Sequence, residues 1–298
     1  MGDPALRLAI PDNVVRLDSI GDIEVNADNQ PTLAALQQTV IRGSVLSPAG
    51  ELLSDFEGVV TVDILDAEKS VTTKGNNDTP KEVFEDYGDR VFTGSARVSG
   101  GRFTLDVAMP AEISQNFRPA TMSMYAYSTA VNDEAVGLCS DFYVYGFDEA
   151  AIPDTSAPVI ESFVLNHESF TSGDAVNSTP MLIAAISDDT GLNVSTAGIG
   201  HQMAAQLDGK RTFSDLTYYF TPSADGTPSG VINYPMEELT DGNHTITLRV
   251  WDTSGNSASK TIDFFVDSAR TPKIFDIYSD ANPASTVANF YLSHDQPD

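Results

Sequence analysis

Apolar and polar residues alternate along most of this chain, which is the pattern of β-strands with one buried face. In the segment 102–107, Phe103, Leu105 and Val107 occupy every second position, and polar residues fill the positions between them. We therefore predict antiparallel strands whose apolar side chains face a core. The same alternation recurs at Val60, Val62 and Ile64, at Met122, Met124 and Ala126, at Ile246, Leu248 and Val250, and at Ile262, Phe264 and Val266.

Glycine-containing turns separate these segments and indicate hairpins. Helical periodicity is weak, and it is best at 32–38, after Pro31, and at 236–239, after Pro235. Short strands, frequent turns and almost no helix predict an all-β chain. The predicted fold is two tandem immunoglobulin-like antiparallel β-sandwiches plus a short C-terminal β segment. The turn signals are Gly100-Gly101, Asp208-Gly209, Asp225-Gly226 and Asp241-Gly242.

Two interruptions of the alternation predict domain boundaries. Acidic residues and prolines interrupt it at 148–158, and a second interruption falls at 267–272. We therefore predict a first sandwich at 1–152, a second at 153–268 and a tail at 269–298. The tail either docks on the second sandwich or begins a further β-domain.

The chain opens with a short apolar strand, which we assign to the first predicted domain. Its apolar residues are Leu6, Leu8 and Ile10. We interpret it as a lead-in strand from a preceding domain. The first residues lack the cationic lead and apolar run of a signal peptide, and no apolar run reaches the length of a transmembrane segment.

The net charge of the chain argues against two classes of function. The 298 residues include 16 Lys and Arg against 43 Asp and Glu, which gives a formal net charge of -27. Nucleic-acid binders and proteins held on anionic lipid gain affinity from cationic side chains, so this balance argues against both. The 41% of hydrophobic residues argue for globular domains with an acidic surface rather than a disordered acidic tail.

The chain has few cysteine and histidine residues, which often take part in catalysis. Cys139 is the only cysteine, which excludes an internal disulfide and a multi-thiolate zinc site. It lies in a β pattern near Asp141, whose charge should raise the thiol pKa, so we interpret it as a small packed side chain. No two of the four histidines have metal-ligand spacing; we expect His201 to bond to backbone and His244 to cap a hairpin. We predict no catalytic residues, no cofactor-binding residues and no cofactor.

The acidic loop 187–193 is the best metal candidate in the sequence. Calcium takes several hard oxygen ligands on a flexible turn, and Asp188, Asp189 and Asn193 could supply them. The loop does not follow the EF-hand pattern, because its glycine comes too early and no acidic residue closes it. A hairpin turn with solvated carboxylates is the preferred interpretation, so these three residues are weak calcium candidates.

Short motifs with a familiar order run along nearly the whole chain. They lie at 2–6, 40–45, 55–58, 92–94, 101–103, 133–137, 154–158, 187–193, 198–201, 207–209, 239–252, 282–283 and 290–297. In this order they resemble the region that follows the catalytic domain in gingipain-family cysteine peptidases of Bacteroidetes, in particular type IX secretion sortases of the PorU type. Each motif is weak alone, and their common order makes the resemblance specific.

The resemblance implies a cell-surface, outer-membrane-associated or extracellular parent that removes C-terminal secretion signals from cargo. The catalytic His and Cys of the family would lie upstream of Gly2, and Cys139 does not match the nucleophile motif. This chain would then be a non-catalytic accessory region that positions the peptidase, docks partners or recognises substrate signals. Its implied partners are proteins of the secretion and attachment machinery and the signal domains of cargo.

Two other function classes stay open. A stand-alone adhesin or glycan-binding module would need exposed aromatic rings, because sugars stack on them. Trp251 is the only tryptophan, and its strand position favours packing. An autonomous hydrolase is the weaker alternative, since no nucleophile, base and orienting group can be assembled. The tyrosines that share outward parity on two strands are Tyr125, Tyr127, Tyr143 and Tyr145.

Overall fold

The chain is all-β, as predicted, in the parts that the structure describes. The computed structural model describes residues 10–76, 79–128, 130, 133–152, 154–197, 200–213, 216–269, 274–279 and 290–294. These ranges contain no α-helix, and no helix among them is long or apolar enough to cross a membrane. The lead-in residues Leu6 and Leu8 lie outside them, as do residues 77–78.

The first sandwich is built mainly from one continuous sheet. Its strands are β1 (Asn13–Ile20), β2 (Ile23–Glu24), β3 (Thr32–Ala35), β4 (Gln38–Leu46), β5 (Gly58–Leu65), β6 (Lys69–Thr72), β7 (Val83–Asp86), β8 (Arg90–Val98), β9 (Arg102–Ala108), β10 (Thr121–Ser128), β11 (Asp133–Cys139) and β12 (Tyr143–Phe147). The sheet order is β8-β5-β10-β11-β1-β4-β9, with β2 beside β1. Strands β8 and β9 stand at opposite ends of this order but follow each other in the chain, so the sheet curls back on itself.

Alternation along these strands produces the first core, as the sequence predicts. Phe103 and Leu105 are buried, and Val60, Val62 and Ile64 have no exposed surface. Burial of apolar side chains on one face gives about 1.5–3 kcal/mol for each large residue.

One glycine shows how tightly this core is packed. A Cβ at Gly43 would lie 2.3 Å from the ring of Phe103, so only glycine lets that ring approach strand β4.

The second sandwich packs two separate sheets face to face. Its strands are β13 (Val159–Leu165), β14 (Ala175–Val176), β15 (Met181–Ser187), β16 (Ala204–Leu207), β17 (Arg211–Phe213), β18 (Phe220–Pro222), β19 (Ser229–Pro235), β20 (Gly242–Trp251) and β21 (Ser257–Val266). One sheet has the order β13-β15-β19-β18 and the other β14-β21-β20-β16-β17. Alternating residues of β20 and β21 fill the space between them, including Ile246, Leu248 and Phe264.

Neither of the two best helical candidates forms an α-helix. Residues 32–35 form strand β3, which pairs in parallel with β12 and buries Leu33 and Ala35. Residues 236–239 have no regular structure, and the amides of Met236 and Leu239 donate to carbonyls of the loop between β14 and β15. Tertiary packing therefore overrides a weak local helical pattern at both places. A short 3₁₀ helix that the sequence pattern did not predict spans Leu216–Tyr219.

A hairpin follows the second sandwich. Strands β22 (Ile274–Ser279) and β23 (Phe290–His294) pair with each other in antiparallel fashion. In the described residues this is the short C-terminal β segment of the predicted fold.

Candidate functional site

Several polar contacts cross the junction between the two sandwiches. Arg90, at the start of β8, donates from its backbone amide to Thr196 Oγ1 at 3.0 Å and accepts from the Thr196 amide at 2.8 Å. Its guanidinium Nη2 donates to the Thr217 carbonyl at 2.9 Å and lies over the Tyr218 ring. Arg90 is therefore held to the second sandwich at three places.

Two further contacts cross the junction. The Ala111 amide donates to the Thr253 carbonyl at 3.0 Å. His201 Nδ1 contacts the Glu112 carboxylate, so the expectation that this imidazole bonds to backbone is wrong. Sequence alone could not find Glu112 as the partner, because 89 residues separate the pair.

Glycine at position 191 allows close approach at the same junction. A Cβ at Gly191 would lie 2.6 Å from Cβ of Ala108, the last residue of β9. Real Cβ atoms do not approach so closely, so any larger residue would push the loop and the strand apart.

A cleft of about 290 Å³ lies beside these contacts. The first sandwich contributes Thr93 and Val107 to its wall, and the second contributes Leu192 and Phe220. Its volume is at the lower end of the range of small-molecule pockets. The cleft joins apolar side chains from both sandwiches at the place where Arg90 holds them together.

Three carboxylates converge at the same end of the second sandwich. One oxygen from each of Asp154, Asp188 and Asp189 lies within 4.8 Å of the others. Asp188 and Asp189 follow β15, and Asp154 lies in the segment that leads from β12 into β13. The structure thus brings together two of the three predicted calcium candidates and adds Asp154, which the sequence pattern did not single out.

Asn193, the third candidate, has a different set of contacts. Its Oδ1 accepts from the Ser195 amide at 3.0 Å, and its backbone amide donates to the Trp251 carbonyl at 2.8 Å. The side chain is buried, and the backbone amide ties the loop after β15 to strand β20.

The pKa values of Asp188 and Asp154 are shifted in opposite directions. Burial raises the pKa of Asp188, and the nearby charges of Asp252 and Asp154 raise it further, against the opposing amides of Gly191 and Thr190. The Ser156 amide, by contrast, lowers the pKa of Asp154. A carboxylate that is both buried and surrounded by like charge is costly to ionise.

Cys139 lies far from any histidine in sequence and is half-buried at the end of β11. It packs against the first core, in agreement with the interpretation as a structural residue. Burial raises its pKa, and the Asp141 charge adds to this while the Asp141 amide opposes it. A nucleophilic thiol needs the reverse shift.

His244 forms a polar cap at the start of β20. Its Nδ1 donates to Asp208 Oδ2 and its Nε2 to the Thr240 carbonyl, both at 2.8 Å. Burial acts to lower its pKa, but the Thr240 carbonyl and the Asp208 carboxylate outweigh burial and raise it. The side chain therefore caps the start of β20, but not in a hairpin as predicted, because β19 and β20 lie in different sheets and the imidazole bonds to the turn after β16.

Exposed aromatic rings cluster on the first sandwich. Tyr125 and Tyr127 are 40% exposed and their ring centroids lie 6.3 Å apart. Phe117, which the sequence pattern did not single out, stacks on Tyr143 at 4.5 Å and meets Tyr145 edge-on at 5.2 Å.

Trp251, the only tryptophan, lies on the second sandwich. It packs under Arg249, whose guanidinium lies 4.3 Å from the indole centroid. It also lies 4.4 Å from the His201 ring. These contacts confirm that Trp251 packs against neighbouring side chains, as its strand position favours.

Comparison with known proteins gives one informative similarity. No protein-family model matches this chain, and no curated protein matches it in sequence. The crystal structure of dimeric latent PorU from Porphyromonas gingivalis is similar over 100% of this chain, with 27% identity and a TM-score of 0.50. The chain spans 28% of the length of that PorU chain.

Other solved structures are more distant. The Ig1-2 module of the Drosophila receptor protein tyrosine phosphatase DLAR is 10% identical, with a TM-score of 0.22, over 84% of this chain and 98% of that one. The fibronectin(III)-like modules of Clostridium thermocellum CbhA are 13% identical, with a TM-score of 0.22, over 85% of this chain and 94% of theirs. At these TM-scores neither similarity adds to the functional assignment.

Proposed function

We propose that this chain is a non-catalytic accessory region of a PorU-like cysteine peptidase at the cell surface, where it positions the peptidase relative to its partners. The observation that carries the proposal is the similarity to PorU over 100% of this chain at 27% identity. The order of short motifs along the sequence points to the same family. The proposal therefore concerns the role of a 298-residue part within a larger enzyme.

The junction geometry supports positioning rather than flexible tethering. The backbone of Arg90 makes hydrogen bonds to Thr196 of the other sandwich, and its guanidinium makes one to the Thr217 carbonyl. The Arg90 side chain is only 19% exposed, and a hydrogen bond to a charged group contributes about 1.5–3 kcal/mol. A domain pair held in this way keeps a fixed orientation, which a scaffold for another domain needs.

A non-catalytic role fits the chemistry of the one thiol. Cys139 has a raised pKa and lies on the first sandwich, whereas all four histidines follow residue 166. Catalysis by the parent would come from a His and Cys pair ahead of Met1. We expect the reading frame ahead of Met1 to encode that pair, and a stop codon directly ahead of it would contradict the proposal.

The partners in this proposal are proteins. The net charge of -27 favours partners with basic surfaces and repels acidic ones. Signal domains of cargo and components of the surface secretion machinery are the proposed candidates.

The experiment uses the complete peptidase and the variant Arg90→Ala. We expect slower removal of signal domains from folded cargo, because the variant loses the guanidinium contacts with Thr217 and Tyr218 and so loosens the junction that positions the cargo. Cleavage of a short peptide with the same scissile sequence should stay unchanged. Arg97→Ala, on the exposed face of the same strand, is the matched control and should alter neither rate. Unchanged cargo processing by Arg90→Ala would contradict the positioning role.

A second candidate function is glycan binding, and the aromatic cluster of Phe117, Tyr143 and Tyr145 favours it. Phe117 is 60% exposed and Tyr145 38% exposed, so both could stack on a sugar ring. The test is a glycan array probed with the wild-type chain and with Tyr145→Ala. Binding that Tyr145→Ala abolishes would support this function, and an array without hits would contradict it.

A further inference from the structure

Three buried aspartates of this chain allow a direct comparison of how carboxylates are satisfied. In the first sandwich, Asp66 accepts from the Ala67 amide at one oxygen and from the Ser114 amide at the other. In the second, Asp252 accepts at both oxygens, and Asn256 donates to each of them. All of their carboxylate oxygens are therefore paired, as buried polar atoms normally are.

Asp188 is the exception among the three. It is only 9% exposed, and its Oδ1 accepts from the amides of Thr190 and Gly191 at 2.9 and 2.7 Å. Its Oδ2 is buried without any hydrogen-bond partner. Leaving a buried charged oxygen unpaired is costly, so this atom requires an explanation.

The surroundings of the Asp188 carboxylate are acidic. Carboxylate oxygens of Asp154 and Asp189 lie within 4.8 Å of one from Asp188, and Oδ2 of Asp154 is also buried without a partner. In the part of the chain that the structure describes, none of the ion pairs joins a basic side chain to any of these three. Their negative charges are therefore not offset by a basic residue of the described protein.

A divalent cation would supply what this arrangement lacks. Calcium binds six to eight oxygens at about 2.3–2.6 Å, so two ligands of one ion lie up to roughly 5 Å apart. The three aspartate oxygens fall within that span. We propose that Asp154, Asp188 and Asp189 bind one calcium ion, with water completing its coordination.

The position of the site gives the ion a structural role. Asp154 belongs to the segment between β12 and β13, and Asp188 and Asp189 belong to the loop that follows β15. The same loop continues into Gly191, which abuts Ala108 of the first sandwich, and its carbonyl accepts from Thr253. Bound calcium therefore joins the connecting segment to the loop at the junction and stiffens it.

Calcium titration of the purified chain tests the site directly. We expect binding by isothermal calorimetry with a dissociation constant of about 10⁻⁴–10⁻³ M or tighter, and a higher melting temperature in calcium than in EDTA. Asp188→Asn should weaken binding by more than about tenfold, because it removes one charged ligand but keeps the acceptor at Oδ1. Asp154→Asn should do the same and serves as the second variant if Asp188→Asn does not fold.

Asp66→Asn is the matched control, since it removes a buried charge whose oxygens are already paired. It should lower the melting temperature and leave calcium affinity unchanged. The proposal fails if wild type shows no binding up to about 5 mM calcium, well above the range of extracellular modules. It also fails if Asp188→Asn and Asp154→Asn bind as wild type does, or if magnesium binds as tightly as calcium. Such a failure would leave the accessory role intact, because that role rests on the similarity to PorU.

Discussion

The first sandwich encloses its core with one curled sheet, whereas the second packs two separate sheets face to face. Both obtain their cores from the same period-two alternation, and both bury those residues almost completely. They differ in what lies at their ends. In the first, the buried carboxylate of Asp66 is fully paired with amides, but in the second the buried Asp188 keeps an unpaired oxygen.

We interpret the paired carboxylate as one that stabilises the fold and the unpaired carboxylate as one that serves a function. A buried charge with all its hydrogen bonds made stabilises one local structure. A buried charge that the chain leaves unpaired is costly by itself and is retained where something else binds to it. The second sandwich therefore carries the proposed calcium site, and the first provides the surface against which the loop of that site packs.

The largest expected effect tests whether the two cores are independent. Phe142→Ala in the first core and Phe264→Ala in the second should each lower the free energy of unfolding of its own sandwich by about 3–5 kcal/mol. Both rings are almost fully buried. Calorimetry of the full chain should show one of two transitions shifting in each variant. Equal shifts of both transitions by either variant would show a single cooperative unit.

The next effect compares the loss of stability when each of the two buried aspartates is replaced, measured in EDTA so that no calcium is bound. Asp66→Asn should destabilise by about 1–3 kcal/mol, because its new amide group faces a backbone donor. Asp188→Asn should change stability far less, since Oδ2 has no donor to lose and Oδ1 can still accept from Gly191. Urea denaturation measures both. A similar cost for the two variants would show that Asp188 Oδ2 is paired in solution.

A steric change at the junction should have an effect of similar size. Gly191→Ala places a Cβ against that of Ala108 and should cost about 1–3 kcal/mol of overpacking, relieved in part by separation of the sandwiches. Small-angle scattering should show a longer particle. The double variant Gly191→Ala with Ala108→Gly removes the clash and should restore the wild-type profile. A double variant as extended as the single one would place the clash elsewhere.

The smallest effect concerns pH and only the second sandwich. His244 has a raised pKa, because the Thr240 carbonyl and Asp208 outweigh the opposing effect of burial. Its charged form therefore stabilises the fold below the ordinary histidine pKa, and this contribution disappears as pH rises through the folded pKa. Asp208 is the charged group that raises this pKa, and Lys210 in turn interacts with Asp208.

The measurement is the melting temperature of each sandwich between about pH 6 and 8, where histidine titrates. In wild type the melting temperature of the second sandwich should fall as pH rises, and His244→Gln should remove this dependence on pH. His167→Gln, which changes a histidine on the same sandwich, is the control. A wild-type melting temperature of the second sandwich that does not depend on pH in this range would contradict the assignment.

The fold class could be predicted from sequence because strand alternation is a local signal. Alternate side chains of a strand point to the same face of the sheet. The spacing of Val60, Val62 and Ile64 alone therefore identifies the buried face. The weak helical pattern at 32–38 was misleading for the opposite reason. Leu33 and Ala35 are buried by pairing with β12, more than a hundred residues later, and no local pattern records that pairing.

The candidate site was predicted only in part for the same physical reason. Asp188 and Asp189 are adjacent in the chain, so the acidic loop is visible in the sequence. Asp154 joins them only because the segment after β12 passes beside the end of β15, and Arg90 meets Thr196 only because two sandwiches pack together. The sequence by itself determined the strands, their inner faces and the acidic charge. The tertiary structure decided which aspartate lost its hydrogen-bond partner, because that depends on contacts between residues distant in the chain.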